Sequence, residues 1–192
     1  MSKFDRLYGD PLESGPLLVS AMQEKLQTCA TEHGVPFQEL ASTLLFACVR
    51  RSSRSLAYIV GHLGDGVIGI RVNGITRVLS TPDNGEFANS TTFMTSHQAP
   101  TALRMHTGRV NESIGFILMS DGAADTLYMR RKSALAEGCD ILLDAFEQLP
   151  QKTAIRTLET NVGFLAEATR TGDDCALAVL SAGGCQRPRR RL

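Results

Sequence analysis

The chain has 192 residues, 43% of them hydrophobic, which suits one domain with a sizeable core. Lys plus Arg and Asp plus Glu each total 20, so the formal charge is zero, which argues against a general attraction to nucleic acid or an anionic membrane. The five cysteines (Cys29, Cys48, Cys139, Cys175, Cys185) form no CxxC pair and are odd in number, against a zinc site or a secreted disulfide framework.

The opening MSKFDRLYGD holds no apolar signal region, and no apolar run is long enough to cross a bilayer. A soluble, cytoplasmic protein is the expectation. Glu13 to Gly34 reads as a helix capped by Ser14, with Pro16 early and Leu17, Leu18, Ala21, Met22 and Leu26 on one face. Ser42 to Val49 and Ser55 to Leu63 read as buried strands. Val67 to Val72 and Ile75 to Leu79 flank Asn73-Gly74, a tight-hairpin dipeptide, so the middle reads as an antiparallel meander. Thr81 to Ala88 is turn-rich, Thr91 to Thr95 reads as a strand, and Gln98 to Asn111 fits neither period. Ile114 to Met119 is a buried strand. Ala124 to Leu149 reads as mostly helical, with Ile141, Leu142, Ala145 and Phe146 as its stripe and Gly138 weakening its middle. Pro150 separates a second helix, about Lys152 to Ala168, and the last strand runs from Cys175 to Leu180. Residues 1–182 then form one layered α+β domain, and 183–192, with Arg187, Arg189, Arg190 and Arg191, a basic solvated tail.

Three acidic turns sit on apolar strands: Gly64-Asp65-Gly66, Ser120-Asp121-Gly122 and Gly172-Asp173-Asp174. Carboxylates at the ends of buried strands lose hydration and repel one another if they converge, unless a positive group offsets them. An oxygen-only ligand set suits Mg²⁺ or Mn²⁺ better than zinc. Each turn read alone is also an ordinary Asp-Gly turn.

Longer stretches add to this: ASTLLFACV (41–49), GDGVIG (64–69), LSTPDNGEFANSTTFMTS (79–96), FILMSDGAADTLY (116–128) and TGDDCALAVL (171–180), in this order. Together they resemble the bacterial branch of the metal-dependent, type 2C (PPM) protein phosphatases, from about Glu13 to Ser181. The resemblance implies an α-β-β-α sandwich of two antiparallel sheets. It implies two or more Mn²⁺ or Mg²⁺ ions that activate a water for attack on phosphoserine or phosphothreonine of a protein substrate. Asp121 and Asp173 match the family's late metal-binding aspartates and Asp65 its GDG-type aspartate, with Gly66, Gly122 and Asp174 in support. No protein nucleophile is required.

The family's opening strand, with its Arg and its Asp-Gly turn, has no counterpart here; Asp10 is followed by Pro11, and Asp5 is no better. The resemblance therefore implies weak catalysis by this chain alone, with a catalytically inactive module that binds a signalling partner as the alternative. It also implies a sheet edge left unpaired and open to association. His62, inside a strand, reads as a packed histidine rather than a general acid.

Overall fold

In the computed structural model, which describes residues 2–83, 91–168 and 174–183, the chain begins with a helix that periodicity did not reveal. Ser2 caps α1 (Lys3–Gly9) through a reciprocal capping box with Asp5. Asp10 then caps α2 (Pro11–His33): its side chain accepts from the Glu13 amide, and Pro11 occupies the first helical position, where no N–H is needed. The helix therefore starts at Asp10, not at Ser14. Ser14 is buried within α2 and its hydroxyl donates to the Arg6 carbonyl. The buried face is also shifted: Val19 is fully buried with Met22 and Leu26 beside it, while Leu17 is exposed.

Four strands follow: β1 (Leu44–Arg51), β2 (Leu56–Leu63), β3 (Val67–Val72) and β4 (Ile75–Ser80). Asn73 and Gly74 take positive φ of 50° and 79°, so β3 and β4 form the tight hairpin that the dipeptide favours. The four do not form one meander. β1 and β2 belong to one sheet and β3 and β4 to the other, and Gly64–Gly66 carries the chain between them. Thr91 to Thr95 forms no strand: Met94 instead donates its amide to the Ser42 carbonyl. Gln98 to Asn111 resolves into a short α3 (Ala99–Ala102) and β5 (Arg104–Val110).

After β6 (Ile114–Met119) the expected long helix is broken in two. α4 (Asp121–Leu127) gives way to the short pair β7 (Tyr128–Met129) and β8 (Ala134–Leu135), joined through a positive-φ Ser133, before α5 (Glu137–Gln148). Gly138 thus lies in the first turn of α5, not in mid-helix. The α5 stripe is Leu142, Leu143 and Ala145; Ile141 is exposed. α6 (Gln151–Ala168) and β9 (Leu177–Ala182) complete the described chain, β9 starting two residues later than expected.

The sheets are β1-β2-β5 and β4-β3-β6-β9, all antiparallel. Between them lie Val60, Ile68, Ile70, Phe116 and Leu118, with Tyr58 edge-on to Phe116 at 5.4 Å. Alternate residues of the same strands face outward. Leu63 packs with α2, and Val67, Ile117 and Met119 pack with α4, α5 and α6. Burial on both faces is why β6 reads as a continuous apolar run. The layers are therefore α-β-β-α.

Arg71, on the outward face of β3, ties α5 to its sheet. Its guanidinium bonds Thr76 Oγ1 at 2.9 Å, Asp140 at 2.8 Å and Asp144. The Arg71 side chain is 8% exposed, but Asp140 and Asp144 are 47% and 53% exposed. Arg71→Ala therefore leaves carboxylates that water can still reach. The expected cost is about 2 kcal/mol, below the roughly 3–5 kcal/mol of a fully buried pair. Urea unfolding should show a lower midpoint at unchanged slope; a loss under about 0.5 kcal/mol would mean that Arg71 is a surface charge in all but name.

Candidate metal centre

The acidic turns meet through strand register. Val67 pairs with Met119, and Met119 also pairs with Leu177. The residues just before β3, just after β6 and just before β9 thus share one end of the four-stranded sheet. Asp65 is two residues before Val67, Asp121 two after Met119, and Asp174 three before Leu177. The backbones approach closely here. A methyl group on Gly66 would lie 2.5 Å from the Met119 carbonyl oxygen and 2.7 Å from Leu45 Cδ1, so only glycine fits without movement. Gly64, at φ 107°, has a conformation that side chains rarely adopt, and a methyl group there would strike Thr43 at 2.4 Å.

Ser120 knits two of the turns together. Its hydroxyl donates to the Asp174 carbonyl at 3.2 Å and accepts from the Ala176 amide at 2.9 Å, while its own amide donates to the Ala176 carbonyl. It also caps α4, so Asp121 and Gly122 open that helix, where an anionic side chain is favoured by the exposed N–H groups. Asp65 is half-buried, and Thr91 Oγ1 donates to its Oδ2 at 2.6 Å. Asp173 lies outside the described residues, as do Glu86, Phe87 and Asn89. Among the described residues, no group of three His, Cys, Asp or Glu side chains is gathered tightly enough to hold an ion. Asp65 and Asp121 are brought to one sheet end, and the third expected ligand is the residue next to Asp174.

A buried polar assembly braces this end. His62 is fully buried on the central strand β2, as a packed histidine would be. Its Nδ1 meets Arg104 Nη2 at 3.1 Å and Ser80 Oγ at 2.8 Å. Arginine only donates, so Nδ1 is the acceptor and the ring proton sits on Nε2. Arg104 Nη1 donates to the Thr81 carbonyl at 2.7 Å, and Nη2 also reaches the Gly64 carbonyl at 3.4 Å. One guanidinium thus spans the ends of β2 and β4, bonding the residue that precedes Asp65. Burial, then Arg104 and His106, push His62 down to about 3. Burial lowers Arg104 as well, opposed by Asp83, and His106 is lowered by burial, Arg104 and Arg77. His62 is therefore neutral near pH 7.

Sequence reasoning missed Thr91, Arg104 and the bridging part played by Ser120. Thr91 stands in a segment read as a strand, and Arg104 in the stretch that fitted no period. The Ser that precedes an Asp at a helix start was the one available signal, as a capping residue. Burial, then Asp140, push the Cys139 thiol up to about 12, leaving that side chain inert.

The layered fold has solved counterparts. It is similar to the Mycobacterium tuberculosis serine/threonine phosphatase PstP/Ppp, at TM-score 0.55 and 16% identity over 93% of this chain and 74% of that one. It is similar to the catalytic domain of PstP in complex with 2 manganese ions, at TM-score 0.54 and 16% identity over 93% and 72%. It is also similar to PppA, a regulatory component of T6SS in Pseudomonas aeruginosa, at TM-score 0.52 and 19% identity. That last match covers 86% of this chain and 66% of PppA, so the chain spans about two thirds of that relative's length. No match is found among curated proteins. The fold class is thus that of bacterial serine/threonine phosphatases. The chain belongs to the protein phosphatase 2C family, whose model matches residues 6–161.

Proposed function

We propose that the chain is the core of a metal-dependent protein serine/threonine phosphatase, with Asp65, Asp121 and Asp173 as its ligands for Mn²⁺ or Mg²⁺. The observation that carries this reading is the shared register at Met119, which sets the Asp65 and Asp121 turns side by side and Asp174 against Ser120. The donor set suits the group. It is all oxygen, it stands at the rim of the sandwich, and the contact made by Asp65 is a hydroxyl donor rather than an ammonium or guanidinium. Divalent ions held there would supply the lowered water pKa and the positive charge that phosphoester hydrolysis requires. The chain's own residues hold the geometry: Gly66 allows the close approach, Ser120 locks the Asp174 strand to the start of α4, and Arg104 steadies the Asp65 turn. Asp174 supports through its backbone. Phosphorylated protein is the substrate class. Because the chain spans only part of its solved relatives, turnover by these 192 residues alone should be slow.

The test is Mn²⁺-dependent release of phosphate from a phosphothreonine peptide, with para-nitrophenyl phosphate as the small-ester comparison. Release that requires Mn²⁺ and disappears in Asp121→Ala is the expected result. Mn²⁺ binding without release from either ester would leave a metal-holding scaffold. Neither binding nor release would leave the inactive, partner-binding module.

A further inference from the structure

Asp65 stands between Gly64 and Gly66, whose close backbone approaches fix where its main chain lies. They do not fix where its carboxylate points. Asp65 is half-buried, and a contact from elsewhere has to choose among its rotamers. Thr91 Oγ1, 26 positions along the chain, makes that contact by donating to Oδ2 at 2.6 Å, the length of a hydroxyl bond to a carboxylate. One donated proton takes one of the roughly four lone-pair positions of a carboxylate and leaves the others to an ion. A hydroxyl brings no positive charge, so it orients the group without competing with a cation, as a lysine or arginine would.

Thr91 is itself held. Met94, three residues on, is 1% exposed and packs with Val19, Leu63 and Ala99. Its amide donates to the Ser42 carbonyl at 2.7 Å, next to Thr43, whose side chain lies against Gly64. From α2, Gln23 Nε2 donates to the Met94 carbonyl at 2.8 Å and to the Ser96 carbonyl at 3.0 Å. The Ser96 hydroxyl accepts from the Phe93 amide at 3.1 Å. Residues 93–96 are thus a strap stapled to α2 and to the chain that enters β1. Threonine is β-branched and stiff about χ1, so a strap that holds its backbone also aims its hydroxyl. We propose that Thr91 is a positioning residue of the metal centre, setting the rotamer of Asp65, and that the strap gripped by Gln23 keeps it there. That role rests on the reading of Asp65 as an ion ligand. Ligating carboxylates lean on such outer partners, whose loss typically lowers metal affinity about 10–100-fold. A hydroxyl that merely held the loop together would add to stability and nothing to the affinity for an ion, and the two roles part in experiment.

Mn²⁺ is titrated calorimetrically into the full chain and its variants, and the metal-free Tm of each is recorded. Thr91→Val keeps the shape and loses the donor. Its Kd for Mn²⁺ should rise about tenfold at an unchanged metal-free Tm. Thr91→Ser keeps the hydroxyl and should stay within about threefold of the parent. Should Thr91→Val lower the metal-free Tm, Thr91→Ala against Thr91→Ser carries the comparison, since both lack the methyl group and only serine donates. Gln23→Leu loosens the strap without touching Asp65 and should weaken Mn²⁺ by a smaller factor. Thr91→Val with the parent's Kd, Thr91→Ser as weak as the variants without a hydroxyl, or Gln23→Leu with the parent's Kd would overturn the proposal. A parent chain that binds no Mn²⁺ defeats the metal reading and this role with it. Normal binding by the parent with indifferent Thr91 variants defeats this role alone.

Discussion

Alanine at Asp121 should abolish the stabilisation that Mn²⁺ gives the parent chain. An ion that binds only the folded state stabilises it by about 2.7 kcal/mol when its free concentration is a hundred times Kd. For a domain of this size that corresponds to a rise in Tm of roughly 5–10 °C. Asp121→Ala should show little or none of that rise, and calorimetric titration should lose its binding heat. Losing a carboxylate from the first turn of α4 costs about 0.3–1 kcal/mol. Asp125→Ala, four residues along the same helix, is the control and should keep the full Mn²⁺ response. A parent chain indifferent to Mn²⁺ removes the metal centre altogether. A full response in Asp121→Ala removes Asp121 from it.

Acid should unfold this protein through His62. A histidine whose folded pKa is depressed to about 3, against an ordinary value near 6.5, binds more protons when unfolded over the whole interval between them. Its stability contribution is present above pH 6.5 and drains away as the pH falls toward 3. At 1.36 kcal/mol per unit the full loss is on the order of 5 kcal/mol. The surrounding groups act in the same sense: Arg104 faces His62 directly, and His106 is itself held neutral by burial and by Arg104 and Arg77. Asp83 supplies the opposing negative charge felt by Arg104. His62→Gln keeps an acceptor for Arg104 but cannot take up a proton. Urea midpoints measured from pH 6.5 to 4.5 should fall clearly less in the variant, with His106 accounting for what slope remains. Parallel pH profiles for the two proteins would clear His62.

Register explains which parts of this molecule its sequence discloses. β3 and β6 are apolar on both faces, and Asn73-Gly74 has one comfortable conformation, so those elements announce themselves. β5 does not, because it carries polar groups on both faces: Arg104 and His106 turn inward to a buried polar assembly and Arg109 outward. Its strand character comes from pairing with β2, which no local pattern encodes. The break between α4 and α5 is likewise tertiary. Arg130, Arg131 and Lys132 suit a solvated helix well, and it is the packing of Leu135 against the outer core that turns the chain there. Asp10-Pro11 makes a poor acidic turn, as the proline shows, and a good helix start, which the periodic apolar pattern further along the chain did not reveal. At the candidate centre, Asp65 and Asp121 stand where apolar runs stop, so their placement at strand ends was legible in the sequence. Arg104 and Thr91 reach the site from distant loops and strands, and their part in it exists only once the layers are stacked.

The passage from β2 to β3 takes just Gly64, Asp65 and Gly66, yet it crosses from one layer of the sandwich to the other. Such a short tether works as a rivet. Neither sheet can slide along its partner without tearing a segment that has no slack, and Arg104 fastens the same spot from below. Sliding of one layer over the other is therefore resisted at this end of the fold.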